Sequence, residues 1–410
     1  MLHLKHNTKP IQANLQLCGS KSLSNRYLIL KDFLPQLKLE NLSDSDDTTT
    51  LVRVLAQKTN NINVGPAGTA MRFLCARLAC EAEKNYVLTG DQRMHQRPIA
   101  ELVDTLNALG ASISYIEKEH YPPLAITGQN LLGGSAKASA KLSSQYISAL
   151  MLIAPFLTKG LKLILNEKPI SEPYIWMTLN ALQDLGIKAG YSYPEITIPP
   201  IAETLLQQPK SISIESDWSS ASYWYSLIAL GNIGDTISLS FFESPEKSSQ
   251  GDAVVAKLYE AFGVQSHFTK GILQLEKCSM KQPTSFEYDF INCPDLAQTL
   301  AFTCFGLRVP FHAIGLKSLR IKETDRIAAL ETAAKALGVE TSSTKSSFSA
   351  IEFTAAPSKT PSIKTFNDHR MAMAAAALAQ KTDLIIQDVA VVSKSYPRFW
   401  DDFKILGLIP

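Results

Sequence analysis

The sequence lacks most of the features that mark a specialised class of protein. Its 40 Lys and Arg residues nearly balance 38 Asp and Glu residues, so the basic excess typical of nucleic-acid-binding proteins is missing. The six cysteines form no CxxC pair, which argues against a zinc ribbon or a disulfide scaffold and favours buried free thiols. Low-complexity tracts and charge blocks are also absent, so we expect little disorder.

Long hydrophobic runs are missing as well. The longest nearly apolar run, residues 146–157, is far shorter than the roughly 20 residues that a membrane-spanning helix needs. The opening residues, MLHLKHNTKP, contain no apolar signal core. We therefore expect a cytoplasmic protein without a membrane or nucleic-acid partner.

Several catalytic signatures are absent. The segment CGSKS (18–22) is not a P-loop, because GxxxxGK[ST] needs Gly directly before Lys and Ser20 intervenes here. Neither HExxH nor a Cys/His cluster is present, and there is no GxSxG motif of a serine hydrolase. We predict that the protein uses neither a metal nor a cofactor.

What the sequence does contain is an internal repeat. One phrase, an apolar helical pattern that ends in glycine, occurs four times: TLNALGASIS (105–114), NALQDLGIKA (180–189), KLYEAFGVQS (257–266) and AAKALGVETS (333–342). The four glycines, at positions 110, 186, 263 and 338, are expected just past helix ends, where a left-handed backbone favours glycine. Short strand-like phrases follow them: LAITG (124–128), ITIPP (196–200), ILQLE (272–276) and IEFTA (351–355).

A second phrase, a polar start followed by a helix rich in small and apolar residues, occurs six times. The copies are KSLSNRYLIL (21–30), GTAMRFLCARLAC (68–80), SSQYISALMLIA (143–154), SSASYWYSLIAL (219–230), PDLAQTLAFTCF (294–305) and NDHRMAMAAAALA (367–379). Such units cannot bury their apolar faces alone and must pack on one another. A solenoid is one arrangement, and two closed groups of three is the other. The length of 410 residues favours two groups, because single cores rarely exceed roughly 250–300 residues; the best boundary lies near 210–217.

The starts of these helices predict an anion-binding site. Ser, Thr, Asp and Asn are helix-capping residues, so capping alone explains any single copy. Cations also lie near several starts, and helix N-termini themselves favour anions. If the helices turn inward, their N-termini converge on one cleft, and Lys and Arg side chains there would recognise phosphates and carboxylates. Asp295 and Glu323 are the acid and base candidates among these cations.

At these residues the chain resembles the 5-enolpyruvylshikimate-3-phosphate synthases of the enolpyruvyl transferase family. The matching phrases run in the family's order from Gly19 to Pro397: GSKSLSNR, AGTAMR, LTGDQRM with RPI, SSQY, ISEPYI, DWSSASY, PDLAQT, KETDR, NDHRMAMA and SKSYP. The resemblance implies transfer of the enolpyruvyl group from phosphoenolpyruvate to the 5-hydroxyl of shikimate 3-phosphate, with release of phosphate through a non-covalent tetrahedral intermediate. This reaction belongs to chorismate and aromatic amino acid biosynthesis.

The resemblance also implies a fold and an organisation. The fold class is α/β, with two domains of three βαβαββ repeats each, an inside-out α/β barrel that closes on substrate at a central interdomain cleft. One domain, on the shikimate 3-phosphate side, would span 16–213. The other, on the phosphoenolpyruvate side, would combine 1–15 with 214–410. We expect a monomer whose partners are its two small substrates.

Individual residues follow from the matched motifs. The implied catalytic residues are Lys21, Asp295, Glu323 and His369. The implied ligands of shikimate 3-phosphate are Lys21, Ser22, Arg26, Ser143, Ser144, Gln145, Ser171, Tyr174, Asp295 and Lys322. The implied ligands of phosphoenolpyruvate are Lys21, Gly68, Arg93, Gln145, Arg326, Arg370 and Lys394. In these roles Asp295 orients or deprotonates the 5-hydroxyl, and Glu323 transfers a proton at the methylene carbon.

Three positions depart from the family pattern: Cys18 and Phe73 replace prolines, and Pro66 replaces an asparagine before AGT. Pro66 removes a side-chain amide and a backbone donor beside the expected phosphoenolpyruvate pocket. Two alternatives compete with the main interpretation. A UDP-N-acetylglucosamine enolpyruvyl transferase is disfavoured because Ser22, not Asn, follows Lys21 and the GDQRM region has no cysteine. The other is a ligand-binding paralogue without turnover.

Overall fold

The computed structural model describes residues 1–57, 59–138, 144–354 and 360–409. The chain forms two compact units: residues 19–214, here the insert unit, and residues 1–18 together with 215–410, here the terminal unit. The first boundary falls three residues later than 15/16. Leu17 is fully buried in the core of the terminal unit, and Cys18 O accepts a hydrogen bond from Asp217 N there. The second boundary falls one residue after 213/214, because Ile214 packs in the core of the insert unit.

The regular elements alternate along the chain. In chain order the strands of the described residues are β1 (Leu2–Leu4), β2 (Gln12–Leu15), β3 (Leu37–Glu40), β4 (Asn61–Asn63), β5 (Asn85–Thr89), β6 (Ser112–Tyr115), β7 (Leu124–Thr127), β8 (Gly134–Ala138), β9 (Leu161–Leu165), β10 (Gly190–Ser192), β11 (Glu195–Ile198), β12 (Lys210–Ser213), β13 (Thr236–Ser240), β14 (Val264–Thr269), β15 (Ile272–Lys277), β16 (Phe286–Asp289), β17 (Phe311–Ile314), β18 (Val339–Ser343), β19 (Phe348–Phe353), β20 (Ser362–Ile363) and β21 (Leu384–Ile386).

The α-helices of the same residues are α1 (Lys21–Phe33), α2 (Asp46–Gln57), α3 (Gly68–Ala79), α4 (Ala100–Ala108), α5 (Ser144–Ile153), α6 (Pro173–Asp184), α7 (Glu203–Leu206), α8 (Trp218–Leu230), α9 (Val255–Leu258), α10 (Ala297–Leu307), α11 (Arg326–Ala336), α12 (His369–Ala376) and α13 (Phe399–Ile405). Short 3₁₀ helices lie at Met94–Gln96, Ala154–Phe156, Gly251–Val254, Tyr259–Phe262, Pro294–Leu296, Lys317–Ile321, Ala377–Gln380 and Val389–Lys394.

The sheets repeat one topology, which confirms the α/β repeats predicted from the sequence. Four sheets have four strands each, in the orders β4-β5-β7-β6, β8-β9-β11-β10, β2-β13-β15-β14 and β16-β17-β19-β18. In each of them the first pair is parallel and the other two pairings are antiparallel. A buried helix joins each parallel pair, and a second helix and a hairpin complete the βαβαββ unit.

The two remaining sheets join distant parts of the chain. In the insert unit β12 pairs parallel with β3, and in the terminal unit β1 pairs antiparallel with β21, which is parallel to β20. The first copy has no room for a hairpin, because β4 begins at Asn61, shortly after α2 ends at Gln57. This explains why only 47 residues separate the first two helix starts, Ser22 and Thr69. The parallel pairing of β2 with β13 shows that the insert unit interrupts the fourth copy.

One buried helix from each copy packs in the core. In the insert unit α1, α3 and α5 contact one another, and in the terminal unit α8, α10 and α12 do so. Every residue of α8 is buried except Ser219. Hydroxyl pairs satisfy the polar groups between α8 and α10, with Ser222 Oγ 3.1 Å from Thr299 Oγ1 and Ser226 Oγ 2.7 Å from Thr303 Oγ1. Small residues thus let these helices pack tightly on all sides.

The four repeated glycines stand where the sequence pattern predicts them. Gly110, Gly186, Gly263 and Gly338 have φ values of 97°, 85°, 73° and 70°, and each follows the end of a helix. A side chain at such a φ would be strained, so glycine is the natural residue for this turn. The strand-like phrases after them fall largely in β7, β11, β15 and β19: the first two and the last run one to two residues past the end of the strand, and residue 355 lies outside the described residues.

Two further features of the structure are the state of the cysteines and the apolar character of the helices. All six cysteines are free thiols; Cys18, Cys75, Cys293 and Cys304 are buried, and Cys80 and Cys278 are half-buried. Across the part of the chain that the structure describes, no helix has the length and apolar character needed to cross a membrane.

Candidate active site

Arg26 lies at the centre of a polar cluster in the insert unit. It is on α1 and is only 2% exposed. Its Nε donates to Thr178 Oγ1 at 2.8 Å, its Nη1 to Ser22 O at 2.7 Å, and its Nη2 to Ser148 Oγ at 2.9 Å and Tyr174 O at 3.3 Å. Helices α1, α5 and α6 therefore hold one guanidinium in a fixed orientation.

The acceptors around Arg26 are all neutral. Burial lowers the pKa of Arg26 to about 10, and the structure places no carboxylate within ion-pair distance among the described residues. The rings of Phe73 and Tyr174 face the guanidinium carbon at 5.5 and 5.8 Å, which adds a weak cation–π attraction. Phe73, one of the departures from the family pattern, thus packs on a predicted substrate ligand. A buried cation without a counterion favours the binding of an anion nearby.

A second cationic cluster surrounds Gly68 at the first residue of α3. A Cβ atom placed there would lie 2.5 Å from Arg97 Nη1 and 2.8 Å from Arg72 Nη1, so both guanidiniums reach the same point. Arg72 is 5% exposed and donates to Gly68 O at 2.7 Å. Burial and the charge of Arg97 lower the pKa of Arg72 to about 10. Two like charges this close are relieved when an anion binds both.

The helices that begin at these clusters are not capped by side chains. Ser20 precedes α1 and Ala67 precedes α3, and neither makes a side-chain hydrogen bond to its helix. Lys21 and Ser22 occupy the first turn of α1, both half-buried. No capping side chain therefore offsets the partial positive charge of these two helix starts, which favours an anion there.

The other residues predicted in the insert unit are distributed around α5 and α6. Ser144 is 8% exposed at the first residue of α5, and Gln145 Nε2 donates to Thr69 Oγ1 at 3.4 Å. Ser171 is 7% exposed and has a positive φ of 61°, which is uncommon for serine and is typical of functional turns. Ser143 lies outside the described residues.

Arg93 and Arg97, four residues apart in GDQRMHQRPI, face different surroundings. The side chain of Arg93 is exposed and donates to Gln96 Oε1 at 3.2 Å. Arg97, which follows the 3₁₀ turn Met94–Gln96, is the residue that reaches Gly68 and Arg72. Pro66 is exposed just before this cluster. The position of Arg97 makes it the better candidate for an anion ligand.

The terminal unit contains a contrasting cluster centred on Arg326. This residue begins α11 and is 1% exposed. Its Nε donates to Asp368 Oδ2 at 2.7 Å, its Nη1 to Asp295 Oδ1 at 2.8 Å, and its Nη2 to Glu323 Oε2 at 2.9 Å. Burial opposes its charge, but the three carboxylates outweigh burial and raise the pKa of Arg326 above its ordinary value.

Asp295 links Arg326 to a second arginine. Its Oδ2 accepts a hydrogen bond from Arg370 Nη2 at 2.8 Å, and Arg370 Nη1 also donates to Tyr223 OH at 3.1 Å. Burial alone would raise the pKa of Asp295. Arg370, Lys322 and Arg326 outweigh burial and hold that pKa far below its usual range. Asp295 is therefore an ionised hydrogen-bond acceptor and a weak base.

Glu323 connects the cluster to a lysine. Its Oε1 lies 3.3 Å from Lys394 Nζ, while Oε2 accepts from Arg326, so each oxygen faces a different cation. Burial lowers the pKa of the neighbouring Lys322, and Asp295 offsets this only in part. His369 is 1% exposed at the start of α12, next to Arg370. The structure thus brings two of the predicted catalytic residues, Asp295 and Glu323, together at Arg326.

Aspartates cap the helices of this cluster. Asp217 accepts from Ser220 N at the start of α8, Asp325 from Ile327 N and Ala328 N at α11, and Asp368 from Arg370 N at α12. The capping explanation is therefore correct for these helices, whose N-termini already carry a carboxylate. Asp325 also pairs with Arg320 Nη1 at 2.9 Å, so part of the KETDR segment is structural.

Five residues of the two clusters were not identified from the sequence: Ser148, Thr178, Ser219, Tyr223 and Asp252. Arg97 and Asp368 are visible in the GDQRMHQRPI and NDHR segments, but the sequence alone assigns neither a ligand role. Among the described residues, no group of three or more His, Cys, Asp or Glu side chains is arranged to hold a metal ion. The donors in both clusters suit anionic organic ligands and proton transfer instead.

Comparison with known proteins identifies the family. A family model described as EPSP synthase (3-phosphoshikimate 1-carboxyvinyltransferase) matches residues 32–403. A 3-phosphoshikimate 1-carboxyvinyltransferase of Bacteroides fragilis is 41% identical over 418 residues, covering 99% of this chain and 98% of the relative. One from Histophilus somni is 31% identical over 425 residues, 96% of each chain.

Solved structures show the same fold. The EPSP synthase from Acinetobacter baumannii superposes with a TM-score of 0.77 at 18% identity, over 99% of this chain and 98% of that one. The enolpyruvyl transferase NikO from Streptomyces tendae gives 0.72 at 12% identity, over 99% and 97%. Such low identities establish only the fold, whereas the family model and the curated relatives establish the family. The chain belongs to the EPSP synthase family, the 3-phosphoshikimate 1-carboxyvinyltransferases.

Proposed function

We propose that the protein transfers the enolpyruvyl group of phosphoenolpyruvate to the 5-hydroxyl of shikimate 3-phosphate and releases phosphate. Family membership supports the reaction. The observation that carries the proposal is the contrast in charge between the two clusters. Uncompensated arginines in the insert unit suit the binding of phosphate and carboxylate groups, and paired acids and cations in the terminal unit suit proton transfer.

The insert unit would bind the phosphate and ring of shikimate 3-phosphate. Arg26 supplies a buried charge, and the open start of α1 presents backbone N–H groups beside Lys21 and Ser22. Tyr174 lies against Arg26, and Gln145 is fixed by Thr69. The further ligands in this proposal are Ser143, Ser144 and Ser171 from the insert unit and Asp295 and Lys322 from the terminal unit.

Phosphoenolpyruvate carries a phosphate and a carboxylate, and both groups would bind to cations. Arg326, Arg370 and Lys394 remain its proposed ligands in the terminal unit. In the insert unit we assign Arg97 in place of Arg93, because Arg97 and Arg72 meet at Gly68 whereas Arg93 is exposed. Lys21 and Gln145 complete the proposed set.

The chemistry has two steps. In the addition, the 5-oxygen bonds to C2 of phosphoenolpyruvate, the hydroxyl loses its proton, and the methylene carbon gains one. In the elimination, the C2–O bond to phosphate breaks and the methyl carbon loses a proton. We assign the protonation and deprotonation of this carbon to Glu323, which two cations orient. Asp295, held ionised by Arg326 and Arg370, accepts a hydrogen bond from the 5-hydroxyl and orients it. The surrounding cations stabilise the anionic tetrahedral intermediate.

Phosphate release tests the proposal. Purified protein is mixed with phosphoenolpyruvate and shikimate 3-phosphate, and inorganic phosphate is measured over time. We expect release that depends on both substrates and none when UDP-N-acetylglucosamine replaces shikimate 3-phosphate. Release only with the UDP-sugar would identify the other transferase activity, and binding without release would indicate a paralogue that has lost turnover.

We further propose that the protein acts as a monomer in the cytoplasm and without a cofactor. Its two proposed substrates are small anions. Sedimentation at assay concentrations tests the monomer, and turnover after treatment with a chelator tests the independence from metal.

A further inference from the structure

One buried carboxylate has no part in the roles above. Asp252 lies in the 3₁₀ helix Gly251–Val254 of the terminal unit and is 7% exposed. It accepts a hydrogen bond from Oγ of Ser219, the one residue of α8 that is not buried. Several buried aspartates in this unit cap helices or pair with cations, as Asp368 and Asp295 do. Asp252 does neither in the part of the chain that the structure describes, so its burial needs another explanation.

The contact with Ser219 places Asp252 at the edge of the catalytic cluster. Ser219 Oγ lies 3.4 Å from Arg370 Nη2, and that nitrogen donates to Asp295 Oδ2 at 2.8 Å. A single hydroxyl therefore separates Asp252 from Arg370, and Asp295 is one hydrogen bond further. Any change in the charge of Asp252 acts directly on the arginine proposed to bind phosphoenolpyruvate.

The titratable groups that interact with Asp252 come from three other parts of the terminal unit. Asp217 precedes α8, Cys293 and Asp295 precede α10, and Arg370 lies on α12. Burial raises the pKa of the Cys293 thiol, so this group stays neutral. Two carboxylates and one guanidinium remain, and that guanidinium already pairs with Asp295. The charge of Asp252 is thus poorly compensated.

This environment makes Asp252 sensitive to an anion at Arg370. Burial and the charge of Asp295 raise the pKa of Asp252 to about 7, whereas Arg370 and the Ser219 hydrogen bond lower it. An anion bound to Arg370 neutralises the one cation that favours the ionised form. The proton affinity of Asp252 must then rise, and by linkage protonation must favour anion binding in return.

We propose that Asp252 is a proton-uptake site coupled to substrate binding: when phosphoenolpyruvate binds at Arg370, the Asp252 carboxylate takes up one proton from solvent. The new O–H bond removes a negative charge beside the site. The carboxyl group that accepts the Ser219 hydrogen bond is then neutral. Asp252 is a positioning residue, since it acts on substrate through Ser219 and Arg370. This inference rests on the proposed function, which supplies the anion.

Titration calorimetry in buffers with different ionisation enthalpies measures the proton uptake. Phosphoenolpyruvate is titrated into the full-length protein saturated with shikimate 3-phosphate at pH 5, 7 and 9, and the dependence of the heat on the buffer gives the number of protons. At pH 7 we expect the wild type to take up about half a proton more than Asp252→Asn, because about half of the carboxyls are then ionised. At pH 5 the two proteins should agree, since Asp252 is already protonated.

The exposed Asp401→Asn is the matched control and should behave as the wild type. Equal uptake by wild type and Asp252→Asn at pH 7, with both binding phosphoenolpyruvate, would overturn the inference. If Asp252→Asn does not fold, Ser219→Ala replaces it. Loss of that hydrogen bond should move the pH of greatest uptake upward, and an unchanged profile would count equally against the inference. Failure of the wild type to release phosphate in a parallel assay would overturn the proposed function instead, together with the anion on which uptake depends.

Discussion

In the insert unit Arg26 and Arg72 are buried without a carboxylate within ion-pair distance among the described residues, whereas in the terminal unit Arg326 alone contacts three carboxylates. The same residue type therefore has opposite surroundings in two units built from the same repeat. The pKa of both insert-unit arginines is lowered, mainly by burial, and the pKa of Arg326 is raised by its partners.

The helix starts differ in the same sense. Helices α1 and α3 have no side-chain cap, while α8, α11 and α12 are capped by Asp217, Asp325 and Asp368. The helix starts of the insert unit keep a positive potential that can attract a ligand. In the terminal unit, the aspartate caps neutralise the positive potential at the helix starts. The comparison indicates a division of labour: the insert unit presents arginines that have no counterion among the described residues, whereas the terminal unit holds its acids in contact with its cations, including Arg370 and Lys394.

The largest effect is expected at Glu323. Glu323→Gln keeps the shape of the side chain but cannot transfer a proton, so kcat should fall by about 10²–10⁴-fold. The affinity for shikimate 3-phosphate should change little, because its proposed phosphate ligands lie in the insert unit. Steady-state kinetics measures kcat, and equilibrium binding measures the affinity for shikimate 3-phosphate. Glu340→Gln, at an exposed position, is the control. Undiminished kcat in Glu323→Gln would remove this residue from the chemistry.

Arg326→Met tests the compensated cluster through stability. Three buried carboxylates would lose their shared cation, and the free energy of unfolding should fall by about 3–5 kcal/mol. Arg320→Met is the matched control, because Arg320 pairs with Asp325 in a more exposed ion pair worth at most about 1 kcal/mol. Denaturant unfolding measures both variants. Similar losses in the two would show that burial of the cluster does not amplify its electrostatics.

Gly68→Ala tests the two arginines that meet at that position. A methyl group there would displace Arg72 Nη1 and Arg97 Nη1, which are the flexible ends of long side chains, so the fold should tolerate it. We expect the KM for phosphoenolpyruvate to rise by about tenfold, equivalent to about 1.4 kcal/mol, with little change in kcat. Gly190→Ala, where a Cβ meets open space, should leave both constants unchanged. An unaltered KM in Gly68→Ala would separate this cluster from substrate binding.

Asp252 tests the terminal unit through a pH dependence of stability. Its pKa in the folded protein is raised from 3.8 to about 7, so between these values the folded state holds a proton that the unfolded state has lost. Stability therefore falls as the pH rises from about 4 to 7. Asp252→Asn cannot ionise, so its melting temperature should rise relative to that of the wild type as the pH increases across this range. A constant difference between the two would contradict the raised pKa.

The sequence predicted what depends on local backbone physics and on repetition. Gly110 and its three equivalents were identifiable because a left-handed turn after a helix favours glycine whatever the tertiary structure. The helix starts were also found from a local signal, because Ser, Thr, Asp and Asn favour the position that caps a helix. Once six copies were recognised, the grouping of sheets followed from the need to bury their faces.

The sequence did not predict which side chains meet. Arg93 and Arg97 are both near a conspicuous motif, and only the 3₁₀ turn between them decides which one reaches Gly68. Asp252 gave no signal, because Ser219 lies 33 positions away and belongs to another element. The charge state of a buried carboxyl depends on such neighbours, so it requires the structure.

The most direct test of the division of labour is the melting temperature of Arg72→Met with and without saturating phosphoenolpyruvate and shikimate 3-phosphate. Without ligands, removal of an uncompensated buried charge should leave the melting temperature equal to or above that of the wild type. With both ligands, the wild type should be stabilised more than the variant, because the stabilisation by a bound ligand grows with the logarithm of its affinity. A variant that is less stable than the wild type by the same amount in both conditions would contradict the account, since Arg72 would then be structural and not an anion receptor.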